Sequence, residues 1–263
     1  MKTLPPLSHH VTGKAGAPWL TFIPGIGNDA TFWSAQAAHL AGNFQVLTFD
    51  PWGHGASPPP PAGCRFDDVM QGVVQLWDRL GVQSSHVAGL GFGGSVALAL
   101  ALRHRQRVTG VAAFCCRPRQ PDDRREFWRG RLATARANGI DALADTTVDR
   151  WLSAEFRAAH PAVDAQLRAM MKRTSVDGYC AYVEAFIEMD FEAGMADIKV
   201  PTLLVAAEFD HGGGPVEAMR GMAARIPGSG FTVVQDSGHI CNFEAPERTG
   251  AILAAFLGTG DKQ

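Results

Sequence analysis

Six short apolar runs recur along this 263-residue chain: WLTFIPG, FQVLTFD, HVAGLG, VTGVAAFCC, PTLLVAAEFD and FTVVQDSGH, starting at residues 19, 44, 86, 108, 201 and 231. Most of them end in glycine, proline or aspartate. Longer stretches with a helical apolar period lie between or beyond them, at residues 31–40, 66–80, 93–105, 215–226 and 246–257. Several of these open on Asp, Thr or Pro and close on Gly, the residues that cap helices. Parallel neighbours in a sheet need a crossover of a dozen residues or more, usually a helix. Strands that alternate with helices therefore specify an α/β fold with a mainly parallel sheet flanked by helices. No internal repeat is present.

One segment breaks the alternation. Residues 119–196 carry no convincing strand, only an Arg- and Ala-rich helical pattern with Trp128, Trp151, Phe156, Tyr179, Tyr182 and Phe186. Inserted between two strands, it predicts a helical cap over the C-terminal edge of the sheet, where α/β folds bind ligands. The core is then residues 1–118 and 197–263, and the plainer alternative is that these helices are ordinary outer layers. Hydrophobic residues make up 46%, charged residues 19%, and the net charge is −2, so no basic surface for nucleic acid is indicated. The five cysteines match no metal or C-x-x-C spacing, which suits reduced thiols in a cytoplasmic protein. The stretch MKTLPPLSHH lacks a signal-peptide apolar run, and no segment approaches the ~18 apolar residues of a membrane span. The expectation is a cytoplasmic monomer or small homo-oligomer acting on a small molecule, with no membrane, nucleic acid, metal or cofactor.

The candidate chemistry sits at strand ends. HVAGLGFGGSVALALAL describes a buried strand, a sharp turn and a helix, with Gly89-Leu90-Gly91-Phe92-Gly93 at the turn. Further on, one strand ends in Asp210 before a glycine-rich loop, and the next leads into a loop bearing His239. An aspartate that orients a histidine makes a general base. Earlier, a strand runs into Pro24-Gly25-Ile26-Gly27, and backbone N–H groups of Ile26 and Phe92 would converge on a developing oxyanion.

These motifs resemble the α/β-hydrolase superfamily over nearly the whole chain. There a G-x-S-x-G elbow presents a nucleophilic serine, and acid and histidine follow in that order. FDPWGHGASPPP, GLGFGGSVAL, VPTLLVAAEFD and GHICNFEAPE are most similar to the small-acid lactonases, especially 3-oxoadipate enol-lactonases. The resemblance implies an α/β-hydrolase fold, hydrolysis of a small lactone or ester, Asp210 as orienting acid, His239 as base, and Ile26 and Phe92 as oxyanion donors. The nucleophile's place is held by Gly91. Pro24 stands where a histidine is usual, and Trp52 where the family often has an arginine in D-x-R-G-H-G. The aminoacrylate hydrolase of pyrimidine utilisation is similar in having a small residue at its elbow and a GH-x-CN stretch like Gly238-His239-Ile240-Cys241-Asn242.

Glycine at the elbow relieves a backbone strain on the order of 1–2 kcal/mol. It also closes the covalent route, because no acyl-enzyme can form. Removing the serine from a working triad costs roughly 10⁶-fold. Two routes stay open: a serine hydrolase that has been disabled, or direct attack by water on an activated enol lactone, enamine or strained ester with His239 as base. Ser95 and Cys241 lie off the elbow, Cys115 and Cys116 are expected as cleft walls, and His54 as a loop support. Arg117, Arg119, Arg124 and Arg125 could meet a carboxylate, although such runs are usually a solvated face. A cofactor-free His/Asp oxygenase and a non-catalytic, ligand-binding pseudo-hydrolase are the competing readings.

Overall fold

All six apolar runs become strands in the computed structural model, which describes residues 3–259. They are β2 (Trp19–Ile23), β3 (Gln45–Phe49), β4 (Ser85–Leu90), β5 (Val108–Phe114), β6 (Thr202–Ala207) and β7 (Gly230–Val234). A seventh, β1 (His9–Gly13), escapes the sequence reading. Its five residues are all exposed, so it has no apolar face to betray it. Backbone pairing with β3 alone holds it at the sheet edge, and it is the antiparallel member. The order is β1-β3-β2-β4-β5-β6-β7 with every other pairing parallel.

The central strands are buried almost continuously, as a sheet covered on both faces requires. The helices α1 (Ser34–Leu40), α2 (Phe66–Leu80), α3 (Phe92–Arg103), α9 (Val216–Arg225) and α11 (Pro246–Phe256) cover it, with a short α10 (Cys241–Glu244). The predicted helix at 31–40 begins instead as a tighter turn, Ala30–Trp33, because Asp29 caps it by accepting from the Thr31 amide at 3.0 Å. Only one end of α3 is polar. Residues 92–101 are all buried, so this helix is apolar all round and sits in the middle of the molecule rather than on its surface.

Between β5 and β6 the chain makes α4 (Asp122–Asn138), α5 (Asp141–Trp151), α6 (Ala154–Ala159), α7 (Pro161–Lys172) and α8 (Val176–Glu188). An isolated antiparallel bridge, Arg119 to Asp190, joins the two ends of this insertion. It is fastened to the sheet side at several points. The Ser175 amide donates to the Gly53 carbonyl at 2.7 Å, the Trp52 amide to the Tyr182 hydroxyl at 3.2 Å, and Glu244 accepts from the amides of Gly238 at 2.8 Å and Ser153 at 2.5 Å. No helix among the described residues is long and apolar enough to cross a membrane.

Candidate active site

The elbow is a one-residue turn between β4 and α3. Gly91 has φ 59° and ψ −123° and donates its N–H to the Phe114 carbonyl at 2.9 Å. A Cβ on Gly89 would lie 2.2 Å from the Gly93 oxygen, and one on Gly93 would lie 2.3 Å from the Ile23 oxygen. These two glycines let the helix start hard against the strand ends. Gly91 differs: a Cβ there would meet only His239, with Nε2 at 3.2 Å. The side-chain direction at this turn points straight at the histidine.

His239 Nδ1 is 3.0 Å from Asp210 Oδ2. Asp210 is 3% exposed and accepts three further bonds, from the amides of Gly212 (3.0 Å), Gly213 (2.8 Å) and Gly214 (2.7 Å). Burial pushes this carboxyl upward, but His239 and the glycine amides outweigh it and hold it well below the usual carboxylate range. An ionised carboxylate can only accept, so Nδ1 carries the proton and Nε2 is left as a base facing the elbow. The glycine loop also fixes the ring: a Cβ on Gly213 would sit 2.1 Å from His239 Cε1.

The oxyanion candidates are in register with this pair. Among the described residues neither the Ile26 nor the Phe92 amide has a protein acceptor. Phe92 opens α3, whose N-terminus favours negative charge. His54 holds the Ile26 loop. Its Nε2 accepts from the Gly27 amide at 3.0 Å and its Nδ1 donates to the Trp52 carbonyl at 3.0 Å. Burial pushes His54 down to about 4, against opposing effects from Trp52, Asp50 and Asp29, so it is neutral in the folded protein.

A stability cost in acid follows. Below pH 6.5 the unfolded chain takes up a proton that folded His54 refuses, so stability falls as pH drops from 6.5 to about 4. The expected loss is about 3 kcal/mol. Asp210, held low, loses its contribution only below 3.8 and stays out of this window. Urea unfolding of the wild type and of His54→Gln between pH 4 and 7 should show the extra loss in the wild type alone; parallel curves would refute the assignment.

Gly91, Asp210, His239, Ile26 and Phe92 all line one cavity of about 560 Å³. Its opposite wall comes from the insertion, through Trp128, Arg131, Arg150, Trp151, Tyr179 and Phe186. Ser95 does not reach it: its hydroxyl donates to the Arg117 carbonyl at 2.7 Å beneath the helix. Cys241 is buried behind the wall that Cys115 and Cys116 form. The neighbouring Cys241 thiol and burial push Cys115 well up, and burial does the same to Cys116, so both stay protonated. Sulfur, carboxylate and imidazole donor atoms of Cys115, Asp210 and His239 lie within 4.8 Å of one another. The Asp210 oxygens already accept four N–H bonds, which marks this set as a hydrogen-bonded cluster.

Trp52 is fully buried, donating its indole N–H to the Pro5 carbonyl at 2.9 Å, so position 52 faces the core and not the cavity. The arginine run divides. Arg119 pairs with Glu192 and Arg125 with Asp122 at the surface. Arg117 donates to the Gly213 carbonyl at 2.7 Å and Arg124 to the Gly212 carbonyl, bracing the loop behind His239. Sequence reasoning missed Gln120, Arg131, Thr147, Arg150 and Tyr179 on the far wall. A signal existed for one of them: Arg131 falls in the helical period of Trp128 and Ala135, on the inward side of α4.

Comparison with known proteins places the fold in a family. The family model described as alpha/beta hydrolase fold matches residues 18–246. The 3-oxoadipate enol-lactonase 1 of Acinetobacter baylyi is 26% identical over 254 residues, covering 95% of this chain and 92% of that one. RutD of Caulobacter sp. (strain K31), a protein named for carbamate hydrolysis, is 28% identical over 264 residues and covers 97% of each chain. The crystal structure of the enol-lactonase from Burkholderia xenovorans LB400 superposes with a TM-score of 0.92 at 30% identity, covering 96% of both chains.

Proposed function

Since the chain belongs to the α/β-hydrolase fold family, we propose that it hydrolyses a small activated lactone, ester or enamine by direct attack of water, with His239 as general base. One observation carries this reading: the His239 ring, held by Asp210 at 3.0 Å through Nδ1, directs Nε2 at the elbow position that holds glycine. The relatives' names, an enol-lactonase and a protein named for carbamate hydrolysis, support attack on an acyl carbon. Residues 119–196 serve as the cap that closes the cavity and excludes bulk water.

In an ester or lactone the water oxygen bonds to the acyl carbon while its proton passes to Nε2. Asp210 stabilises the imidazolium that forms. The carbonyl oxygen becomes an oxyanion between the Ile26 and Phe92 amides. Collapse breaks the bond to the leaving oxygen, which takes the proton back from Nε2, and the acid is released. General-base assistance is worth typically about 10²–10⁴-fold, which suits substrates with a good leaving group and leaves unactivated esters slow.

The test is a panel comprising an enol lactone, an aryl ester, an alkyl ester and an amide, with rapid-quench mass spectrometry of the protein during turnover. Hydrolysis of the enol lactone and aryl ester without any acyl adduct is expected. An adduct on any side chain would overturn the water route, and inertness toward every activated substrate would overturn the hydrolase reading.

A further inference from the structure

Two peptide groups in the glycine loop after Asp210 are held at both ends. The Gly213 carbonyl accepts from Arg117 Nε at 2.7 Å, and the N–H of the same peptide, on Gly214, donates to Asp210 Oδ2 at 2.7 Å. One residue earlier the Gly212 carbonyl accepts from Arg124, and the N–H of that peptide, on Gly213, donates to Asp210 Oδ1 at 2.8 Å. Each arginine therefore reaches one carboxylate oxygen through one peptide. Oδ2 is also the oxygen 3.0 Å from His239 Nδ1.

The loop has little stiffness of its own, because no Cβ restricts φ and ψ at glycine. Close packing nevertheless demands glycine here. A Cβ on Gly213 would collide with the His239 ring, one on Gly214 with the Cys116 backbone, and one on Gly212 would lie 2.6 Å from Arg124 Nη2. Peptide planes in such a loop must be fixed by bonds instead. The carboxylate holds their N–H ends and the arginines hold their carbonyl ends. Arg117 is itself tied to the elbow helix, since its own carbonyl accepts from the Ser95 hydroxyl at 2.7 Å. Arg124 belongs to α4, so the insertion and the His239 ring are joined through this loop. Burial and Arg124 lower the Arg117 guanidinium, while Asp210 and Asp123 oppose them, so cation and carboxylate act on each other across the peptide.

We propose that Arg117 and Arg124 are positioning residues for His239: by holding the carbonyl ends of two peptides they aim the N–H ends at Asp210, and the carboxylate so fixed sets the tautomer and direction of the imidazole. Chains of hydrogen bonds strengthen one another, so a donor placed on the carbonyl makes the N–H at the other end of the peptide a better donor to the carboxylate. That His239 is the base rests on the proposed hydrolytic function; the hold on its ring does not require turnover.

Nitrogen NMR of histidine-labelled protein tests this, because ring shifts separate a protonated nitrogen from a bare one; His239→Gln assigns the signals. In mildly alkaline buffer the wild type should show His239 in a single form protonated at Nδ1. Arg117→Met removes the donor and should give a mixture of Nδ1–H and Nε2–H forms. Its kcat on p-nitrophenyl acetate should fall by at least about 10-fold with KM within about 2-fold. Arg117→Gln carries an amide nitrogen the same number of bonds from the backbone as Nε, and should restore the single form and most of kcat. Arg124→Met acts on the neighbouring peptide, should also give the mixture, and serves as the test if Arg117→Met does not fold. A single Nδ1–H form retained in a folded Met variant, or an Arg117→Gln protein as impaired as Arg117→Met, overturns the inference. If the tautomer responds as expected while the wild type hydrolyses no activated substrate, the positioning role stands and the hydrolytic reading falls. If the wild type is an active hydrolase and the tautomer is unmoved, the reverse holds.

Discussion

Gly91→Ser is expected to raise the hydrolysis of p-nitrophenyl esters by at least about 10³-fold and to introduce an acyl-enzyme burst. The backbone already has the elbow conformation, φ 59° and ψ −123°. A Cβ built there points at His239 Nε2 from 3.2 Å, a few tenths of an ångström too close for comfort, so the imidazole must yield slightly as the hydroxyl enters its hydrogen-bond range. Asp210 and the two free amides need not move. The variant should be less stable by about 1–2 kcal/mol, because serine resists the positive φ that glycine adopts freely. Stopped-flow traces and intact-mass measurement would record the burst and the adduct. If neither appears and ester turnover is unchanged, the amides of Ile26 and Phe92 do not form an oxyanion hole over this turn. A wild type inert toward every activated lactone, beside a variant that shows the burst, would mark a serine hydrolase that has lost its nucleophile.

Much of this architecture is legible in the sequence because parallel strands advertise themselves. β4, β5 and β6 are buried on both faces, so their residues must be apolar almost without interruption, and each crossover helix must carry an apolar stripe. The edge strand β1 escapes the same logic, since its pairing depends on backbone bonds to β3 and leaves no trace in side-chain choice. At the site, Gly91, Asp210, His239, Ile26 and Phe92 are legible because each lies at a strand end, where position along the chain fixes position in space. The far wall obeys no such rule. Arg131 and Arg150 come to the cavity through the packing of α4, α5 and α8, and helix-on-helix placement is a property of interdigitating side chains that no linear spacing encodes. Trp52 illustrates the same limit: its indole is directed into the core against α2, where a Cβ on Gly72 would touch it at 2.7 Å.

His239→Ala should lower turnover of the best activated substrate by about 10²–10⁴-fold with little change in KM. Among the described residues His239 alone lies within 4 Å of a side chain built at the elbow. His54 is neutral, buried and engaged at both nitrogens, and the Cys115 and Cys116 thiols are held protonated on the wall. Water in the variant would still meet the Ile26 and Phe92 amides, so a residual rate above background is expected from oxyanion binding alone. Asp210→Asn should cost nearly as much for a different reason. Its amide cannot favour the imidazolium, and one arrangement of the side chain donates to Nδ1, which moves the ring proton to Nε2 and leaves no base toward the elbow. The two losses should not add in the double variant, because each removes the same base. Additive losses would mean that Asp210 acts independently of His239, and full turnover in His239→Ala would end the case for water activation at this site.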